Sequence, residues 1–252
     1  MKEQIVRTLT EIESEYGVRI LLAVESGSRA WGFASPDSDY DVRFIYVRPR
    51  DEYLRLERQW DVIELPISGE LDVNGWDLQK TLRLLCRSNP TLFEWFSSPI
   101  VYRETAFAEE FRALMTDYFS SKKSLYHYIS MAERNYREYL RGDRVRAKKY
   151  FYVLRPVLAC RWVMERGTPP PMLFSELTEA QLPGFLRDEV ERLLELKMNA
   201  PEVKEIPRID ILNEYLAESI ASIRESAADY EDRRGGRDEL NAFFLRTLEQ
   251  YA

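Results

Sequence analysis

The chain has 252 residues, of which 45% are hydrophobic and 31% charged, and this composition is typical of an ordinary globular protein. Its apolar runs fall short of the roughly 18–20 residues of a membrane span and its N-terminus lacks the apolar segment of a signal peptide, so we expect a cytoplasmic protein without a membrane anchor. The two isolated cysteines, the single histidine and the net charge of −7 exclude a disulfide framework, a multi-histidine zinc site and a general polyanion binder.

Helix and strand patterns alternate in the first hundred residues. An apolar stripe from Ile5 to Ile12 predicts a first helix, which Gly17 ends. From Trp76 onward the apolar residues recur with a helical period. Apolar runs between turn residues predict strands over 18–25, 41–47, 60–65 and 70–73.

The second part of the chain is expected to be helical. Pro99 marks a boundary, and the three prolines within 168–172 predict a stiff, extended connector. These patterns predict a fold of the α+β class, with one domain over 1–100 and a helical domain over 101–252. Amphipathic helices are predicted over roughly 104–118, 120–141, 143–166, 184–199 and 208–231, with a last one after Gly235-Gly236.

A Gly-Ser turn at the end of the first strand is followed, ten to twelve residues later, by Asp39 and Asp41 at the start of the second. Side chains two residues apart on a strand point to the same face, so both carboxylates project together, which favours a divalent cation between them. Gly27 lets the backbone approach a phosphate closely, and Ser28 adds a hydroxyl donor. Arg29 places a guanidinium beside the same turn.

Other phosphate and metal motifs fit these residues less well. A P-loop requires Lys after the second glycine, whereas Phe33 follows Gly32. An EF-hand that starts at the aspartates would need Gly and Glu where the chain has Val42 and Arg48. Because Arg43 shares the face of the aspartates, a purely structural carboxylate–guanidinium cluster remains the alternative to a metal site.

The segment from residue 134 to residue 155 is basic, with eight Lys or Arg residues against two acidic ones. Within it, Lys148, Tyr152 and Arg155 share one helix face, and Lys149 is adjacent. These side chains suit a triphosphate and a stacked base. The alternative is a solvated helix face, with Tyr152 in the core and the cations reaching solvent.

The Gly-Ser turn and the Asp-x-Asp pair resemble the signature of the polymerase-β-like nucleotidyltransferase superfamily. Longer strings resemble one branch of it, the bacterial and phage group of predicted nucleotidyltransferases associated with RNA-repair ligases. The resemblance runs over most of residues 20–165. The strings that carry it are Gly27-Ser-Arg-Ala-Trp-Gly32, Ser38-Asp-Tyr-Asp-Val-Arg43, Asp72-Val-Asn-Gly-Trp-Asp-Leu78, Ser88-Asn-Pro90, Ser98-Pro-Ile-Val-Tyr102 and Lys148-Lys-Tyr-Phe-Tyr-Val-Leu-Arg-Pro156.

The resemblance implies a small mixed-sheet palm followed by an all-helical domain that completes a nucleotide and acceptor cleft. It implies an enzyme of the EC 2.7.7 type, which transfers NMP from an NTP, with ATP as the expected donor, to an acceptor hydroxyl such as an RNA end. Two Mg²⁺ or Mn²⁺ ions would be bound by Asp39, Asp41 and a third carboxylate, for which Asp72 is the best match and Glu64 the alternative. The expected nucleotide-binding residues are Gly27, Ser28, Arg29, Arg43, Lys148, Lys149, Tyr152 and Arg155.

Other functions remain open at this point. The acceptor could be a protein side chain, as in an AMPylating activity, or a small molecule. A non-catalytic nucleotide-binding module is the third possibility, although such a module does not need paired metal-binding carboxylates. An RNA ligase is the expected functional partner, while the base preference and the oligomeric state have no determinant in the sequence.

Overall fold

The computed structural model describes residues 1–57, 59–199, 205–232 and 235–252. The chain divides into two compact units, and both are discontinuous along the sequence. The first unit comprises Met1–Gly27, Asp39–Tyr118 and Arg234–Ala252, and the second comprises Ser28–Ser38 and Phe119–Arg233. The sequence predicted two continuous domains, over 1–100 and 101–252, and that division stays a prediction.

The described residues form the following strands and α-helices. The strands are β1 (Arg19–Glu25), β2 (Tyr40–Val47), β3 (Val62–Glu64), β4 (Leu71–Asp77), β5 (Val101–Glu104), β6 (Arg144–Arg146) and β7 (Glu205–Pro207). The helices are α1 (Lys2–Tyr16), α2 (Gly27–Ala30), α3 (Arg50–Tyr53), α4 (Leu78–Cys86), α5 (Pro90–Phe96), α6 (Ala106–Met115), α7 (Ser121–Tyr139), α8 (Ala147–Arg166), α9 (Phe174–Gln181), α10 (Arg187–Asn199), α11 (Asp210–Ser226) and α12 (Arg237–Tyr251).

The first unit is built on a mixed sheet with the strand order β3–β4–β2–β1–β5. Strands β2 and β4 are parallel, and the other neighbouring strands pair in the antiparallel sense. The residues of β1 after Arg19 are all buried, as expected for an apolar central strand that is covered on both faces. Parallel pairing at the centre of the sheet places the first residues of β2 and β4 side by side.

Helix α1 packs its apolar stripe against the sheet. Ile5, Leu9 and Ile12 belong to the same buried cluster as Phe44 and other sheet residues. The helix ends at Gly17, which has a left-handed backbone with φ 60° and whose N–H donates to the carbonyl of Glu13. The predicted first helix is therefore confirmed.

The second unit is mainly helical, with α8 at its centre. Twelve of the described residues of α8 are buried, including Pro156 in the helix interior. The rings of Phe33, Phe151 and Phe174 pack against one another with centroid separations of 5.0–5.4 Å. This packing joins the segment Ser28–Ser38 to the helices of the same unit.

The α+β class predicted from the sequence is confirmed, and several element assignments are corrected. Strand β4 continues to Asp77, whereas a helical pattern was expected from Trp76, because seven consecutive residues of β4 pair with β2. Strand β5, helix α9 and the two-stranded sheet of β6 and β7 were not predicted. None of the helices in the described part of the chain has the length and apolar character needed to cross a membrane.

Candidate active site

The start of the parallel pair β2–β4 brings two of the expected carboxylates together. Asp41 and Asp72 are direct partners in the register of the two strands. Arg43 lies two residues beyond Asp41, and its Nη2 is 2.8 Å from Asp41 Oδ1 and 2.7 Å from Asp72 Oδ2. The same guanidinium donates from Nη1 to the carbonyl oxygen of Asp72 at 3.2 Å. We call Asp39, Asp41, Asp72 and Arg43 the carboxylate cluster.

The two candidates for a third carboxylate occupy different strands. Asp72 is on β4, the strand next to Asp41, and its side chain is partly exposed. Glu64 is on β3, one strand further away, where it pairs in register with Asn74 and is exposed. The structure therefore brings Asp72 to Asp41 through a shared arginine. Its role as a metal ligand stays a prediction.

Negative charge is in excess at the carboxylate cluster. Burial raises the pKa of Asp41 above its ordinary value, and the nearby charges of Asp72 and Asp39 raise it further, while Arg43 acts in the opposite direction. The upward effects prevail, and burial is the largest of them. The excess of negative charge follows from formal charge, since three carboxylates stand with one guanidinium in the cluster. Asp39 itself is exposed and stands immediately before β2.

Gly27 is required at its position because of Asp41. Its φ of +59° lies in the left-handed region, and a Cβ atom built on it would be 2.0 Å from Asp41 Oδ2. The neighbouring residue Ser26 donates its N–H to the carbonyl of Asp41 at 2.9 Å. This hydrogen bond joins the end of β1 to the start of β2. The Asp41 carboxylate lies directly against Gly27.

Glu25 supports the same residues and was not singled out from the sequence. It is fully buried, and its Oε1 accepts a hydrogen bond from the Asp41 N–H at 2.7 Å. Its Oε2 accepts from the hydroxyl of Tyr102, and its carbonyl accepts from the hydroxyl of Ser98 at 2.6 Å. A charged residue at the end of a strand that is apolar from Ile20 onward, two residues before Gly27, was the available signal.

The donor chemistry of the carboxylate cluster fits a divalent cation such as Mg²⁺ or Mn²⁺. Carboxylate oxygens are the ligands that these ions prefer, and the excess of carboxylates over the single guanidinium of the cluster favours an added cation. Arg43 engages one oxygen of Asp41 and one of Asp72. In this conformation, no group of three or more His, Cys, Asp or Glu side chains among the described residues has the spacing of a metal site.

The serine of the Gly-Ser motif lies in the second unit, where side-chain and backbone hydrogen bonds hold the segment Ser28–Ser38 in place. Arg29 donates from Nη2 to the carbonyl of Ser38 at 2.7 Å, and the carbonyl of Ser28 accepts from the N–H of Phe33 at 3.1 Å. Helix α2 provides one turn at the start of this segment. Ser28 and Arg29, which are both predicted to contact phosphate, are therefore each held by a hydrogen bond within this segment.

Lys197 fixes the far end of this segment and was also missed from the sequence. It is 6% exposed, and its Nζ donates to the hydroxyls of Ser35 at 3.1 Å and Ser38 at 3.2 Å. The two hydroxyls are 2.9 Å from each other. Because Lys197 is more than 150 residues from these serines in sequence, no local pattern could have indicated the contact.

Helix α8 carries three cations expected to bind a nucleotide, and two of them, Lys149 and Arg155, lie against aromatic rings. The ammonium of Lys149 is 3.6 Å from the centroid of Tyr139 and 4.8 Å from that of Tyr152. The guanidinium of Arg155 lies 4.6 Å from the centroid of Trp31. We call these five residues the aromatic–cation face.

The members of this face differ in exposure. Arg155 is only 4% exposed and also contacts the sulfur of Met172 at 3.8 Å, whereas Lys149 and Tyr152 are half-buried. Lys148, the other nucleotide-binding cation predicted on α8, is outside this face and is half-buried too. Their assignment as nucleotide ligands stays a prediction. The remaining predicted residues, Gly27, Asp39, Asp41, Arg43 and Asp72, are brought together in the first unit.

Comparisons with known proteins give the following matches. A sequence model of the family described as "RlaP: RNA repair pathway DNA polymerase beta family" matches residues 1–246. A protein of Bacillus subtilis (strain 168), named "Uncharacterized protein YcgL", is 49% identical over 253 residues, which cover 99% of this chain and 97% of that protein.

One solved structure, a nucleotidyltransferase-like protein from Exiguobacterium sibiricum 255-15, is 13% identical to this chain. The match covers 89% of this chain and 75% of that chain, with a TM-score of 0.32.

Proposed function

We propose that this chain, which belongs to the RNA repair pathway DNA polymerase beta family and so to the nucleotidyltransferases in general, transfers a nucleoside monophosphate from an NTP to an acceptor hydroxyl. ATP is the donor that we assign, and an RNA end is the acceptor. The enzyme would be of the EC 2.7.7 type, would act in the cytoplasm and would work alongside an RNA ligase.

The observation that carries the proposal is the register of β2 and β4, which pairs Asp41 with Asp72 next to Gly27. Phosphoryl transfer asks the protein mainly for positioning and for neutralisation of charge. Paired carboxylates beside a glycine turn meet both requirements, because the carboxylates suit divalent cations and the turn admits a phosphate.

The proposal gives each residue of the carboxylate cluster a role. Asp39, Asp41 and Asp72 would hold two divalent cations, which neutralise charge on the triphosphate and on the leaving pyrophosphate when bound. Arg43 keeps Asp41 and Asp72 in a fixed relative position through its two short contacts. Gly27 leaves room for the Asp41 carboxylate.

The chemical step forms one bond and breaks one. The acceptor hydroxyl oxygen bonds to the α-phosphorus of the NTP, and the bond from that phosphorus to the oxygen bridging to the β-phosphate breaks. Pyrophosphate leaves with the electron pair of the broken bond. The proton of the hydroxyl passes to a carboxylate, and we assign this role to Asp72, the predicted third carboxylate.

Residues of the second unit are assigned to the nucleotide. Ser28 and Arg29 would donate to phosphate oxygens, and Lys148, Lys149 and Arg155 would balance the triphosphate charge. Tyr152 would contribute a ring against which the base stacks. The support for this part of the proposal is that Lys149 already lies over the Tyr152 ring, as a cation does in a site that binds both charge and an aromatic group.

The test follows release of pyrophosphate and transfer of α-³²P from labelled ATP with Mg²⁺ in wild-type protein and in Asp39→Asn and Asp41→Asn variants. We expect both activities to fall by at least about 10²-fold in the variants, because charge stabilisation is lost, while ATP binding remains measurable. Asp51→Asn, an exposed carboxylate on α3, is the matched control and should retain activity. Unchanged activity in Asp41→Asn would rule out the proposal.

Two further comparisons refine the assignment. Asp72→Asn and Glu64→Gln are assayed together, and loss in Glu64→Gln with retention in Asp72→Asn would replace Asp72 by Glu64. The acceptor is identified by offering RNA, protein and small-molecule pools to the labelled reaction. Labelled protein or small molecule without labelled RNA would overturn the RNA acceptor.

A further inference from the structure

A concave site lies within the first unit, between helices α4 and α12. It is a cavity of about 410 Å³, and α4 contributes Leu82 and Arg83 to its lining, with Arg87 directly after the end of that helix. Helix α12 contributes Arg237 and Phe244, among others. Among the described residues, no member of the carboxylate cluster lines this cavity. We call it the arginine cavity.

The charges of the arginine cavity are all of one sign. Arg83, Arg87 and Arg237 line it, and in the described part of the chain no Asp or Glu stands with them. The side chain of Arg83 donates to the neutral amide oxygen of Gln79 at 3.0 Å. Guanidinium groups that line one cavity repel one another, so the like charges of these three exposed side chains favour uptake of an anion, and guanidinium forks match the oxygens of a phosphate.

The remaining lining matches a nucleoside rather than a bare anion. Leu82 and Leu240 are buried and form an apolar wall, and the ring of Phe244 is partly exposed. Phe244 is fixed by an edge-to-face contact with Tyr53, at 5.2 Å between centroids, so its ring is already oriented. An oriented ring in a cavity that arginines also line can stack a base while phosphates bind the guanidinium groups.

The polar side chains and the volume of the cavity also suit a nucleoside. The side-chain amides of Gln79 and Asn241 also line the cavity, and amides can pair with the edge of a base. The volume of about 410 Å³ falls within the range of about 300–1,000 Å³ that is common for small-molecule sites.

We infer that the arginine cavity binds a phosphorylated nucleoside, either free or as the phosphorylated end of an RNA, at a site separate from the carboxylate cluster. The phosphate contacts Arg83, Arg87 and Arg237, and the base lies against Phe244. Binding here requires no divalent cation, since the arginines themselves supply the positive charge.

The cavity contains its own reporter, Cys86. The chain has two cysteines, and Cys86 lines the cavity with partial exposure. Cys160 is fully buried, and burial raises the pKa of its thiol, so it stays protonated and unreactive. Alkylation by N-ethylmaleimide, read by mass spectrometry of the peptides, therefore reports on Cys86.

The experiment measures the rate of Cys86 alkylation in EDTA with added AMP, ADP, ATP, adenosine, inorganic phosphate or a 5′-phosphorylated oligoribonucleotide. We expect AMP, ADP and ATP, or the oligoribonucleotide, to slow the reaction, and adenosine or phosphate alone to slow it far less. Protection by free nucleotides identifies the small-molecule source, and protection by the oligoribonucleotide alone identifies the RNA end. Equal protection by inorganic phosphate and AMP would overturn the assignment of a nucleoside.

Matched variants locate the effect. Arg83→Ala with Arg87→Ala should weaken protection by at least about tenfold in ligand concentration, because charge-assisted contacts to phosphate are removed. Arg246→Ala, on the same helix α12 but outside the cavity, should leave protection unchanged. Equal protection in the double variant would overturn the inference.

A second measurement covers the case in which Cys86 reacts slowly without ligand. Calorimetric titration of the same ligands in EDTA compares the wild type with the double variant, and equal affinities in the two proteins would contradict the inference. The site does not depend on the proposed transfer activity. Asp39→Asn and Asp41→Asn should lose transfer and keep protection of Cys86, so failure of the proposed function and failure of this inference give different results.

Discussion

The carboxylate cluster and the aromatic–cation face hold charge in two different ways. In the cluster, strand register sets the positions, and Arg43 reaches two carboxylates at 2.7 and 2.8 Å. On the aromatic–cation face, Lys149 and Arg155 lie 3.6–4.8 Å from ring centroids. Hydrogen-bonded ion pairs fix direction, whereas cation–ring contacts tolerate displacement. The first arrangement suits a reacting centre and the second suits adaptable binding.

The largest effect is expected from Gly27→Ala, because the added Cβ would stand 2.0 Å from Asp41 Oδ2 and displace that carboxylate. We expect transfer activity to fall by about 10²-fold or more, as for other displaced reacting groups. Gly69→Ala is the matched control, since Gly69 has φ +61° and nothing within 4 Å of its added Cβ.

Both alanine variants should lose about 1–2 kcal/mol of unfolding free energy from the left-handed backbone. Urea denaturation and the ATP-transfer assay measure the two quantities. Equal activity in the two variants would mean that the position of the Asp41 carboxylate does not matter for the reaction.

Arg43→Ala should have the next largest effect. Removing the guanidinium leaves Asp41 and Asp72 without their shared donor, and we expect transfer activity to fall about 10- to 100-fold, as for other residues that orient ligands. Arg48→Lys, just beyond the end of β2, is the control in the same unit. Higher activity in Arg43→Ala would instead show that the arginine competes with a bound cation.

Lys149→Met should have a smaller effect, which is confined to the binding of the nucleotide. Loss of one cation near the Tyr152 ring is expected to raise the KM for ATP about three- to tenfold, with kcat little changed. Arg166→Met is the control, because Arg166 also stacks on a ring of the same helix, 3.9 Å from the centroid of Trp162. A loss confined to kcat would place Lys149 with the reacting groups instead.

The smallest effect concerns Asp77, a buried carboxylate outside the cluster. Burial raises its pKa above the ordinary value, although the N–H of Gln79, the hydroxyl of Tyr53 and Arg48 act in the opposite direction; Asp61 adds to the rise. A raised folded-state pKa means that the neutral form is favoured on folding. The contribution of this pKa shift to the free energy of unfolding is present below about pH 3.8, and it is lost as the pH rises through the raised pKa of Asp77 in the folded state.

Asp77→Asn removes this titration, so the unfolding free energy of the wild type should fall relative to that of the variant as the pH rises above the ordinary range of an aspartate. Urea midpoints between pH 3 and pH 7 check the difference. A difference that is constant with pH would contradict the expected ionisation of Asp77.

The sequence predicted those parts of the site that depend on local spacing. Asp39, Asp41 and Gly27 could be found because a two-residue period and a strand-ending glycine are local properties. The pairing of Asp41 with Asp72 could not be derived, since it depends on β4 lying next to β2 in parallel. The resemblance, and not the spacing, favoured Asp72 over Glu64.

The errors in the fold have related causes. Strand β5 is short, and its residues are only partly buried, so it has no strong apolar pattern. Strands β6 and β7 have three residues each and pair across about sixty residues of chain. Glu25 and Lys197 act through contacts distant in sequence, with Tyr102 in one case and Ser35 in the other. Tertiary pairing, which one sequence does not reveal, decides all of these.

The discontinuity of the first unit affects how the protein is made. Its last helix, α12, packs against residues synthesised far earlier: the Tyr251 hydroxyl accepts from the N–H of Phe107, and the Tyr118 hydroxyl donates to the carbonyl of Gly236. On the ribosome the sheet therefore emerges long before the helix that covers Phe107 and Phe111, through the ring of Phe243. Until translation reaches α12, the side of these rings that Phe243 covers is open to solvent or chaperones.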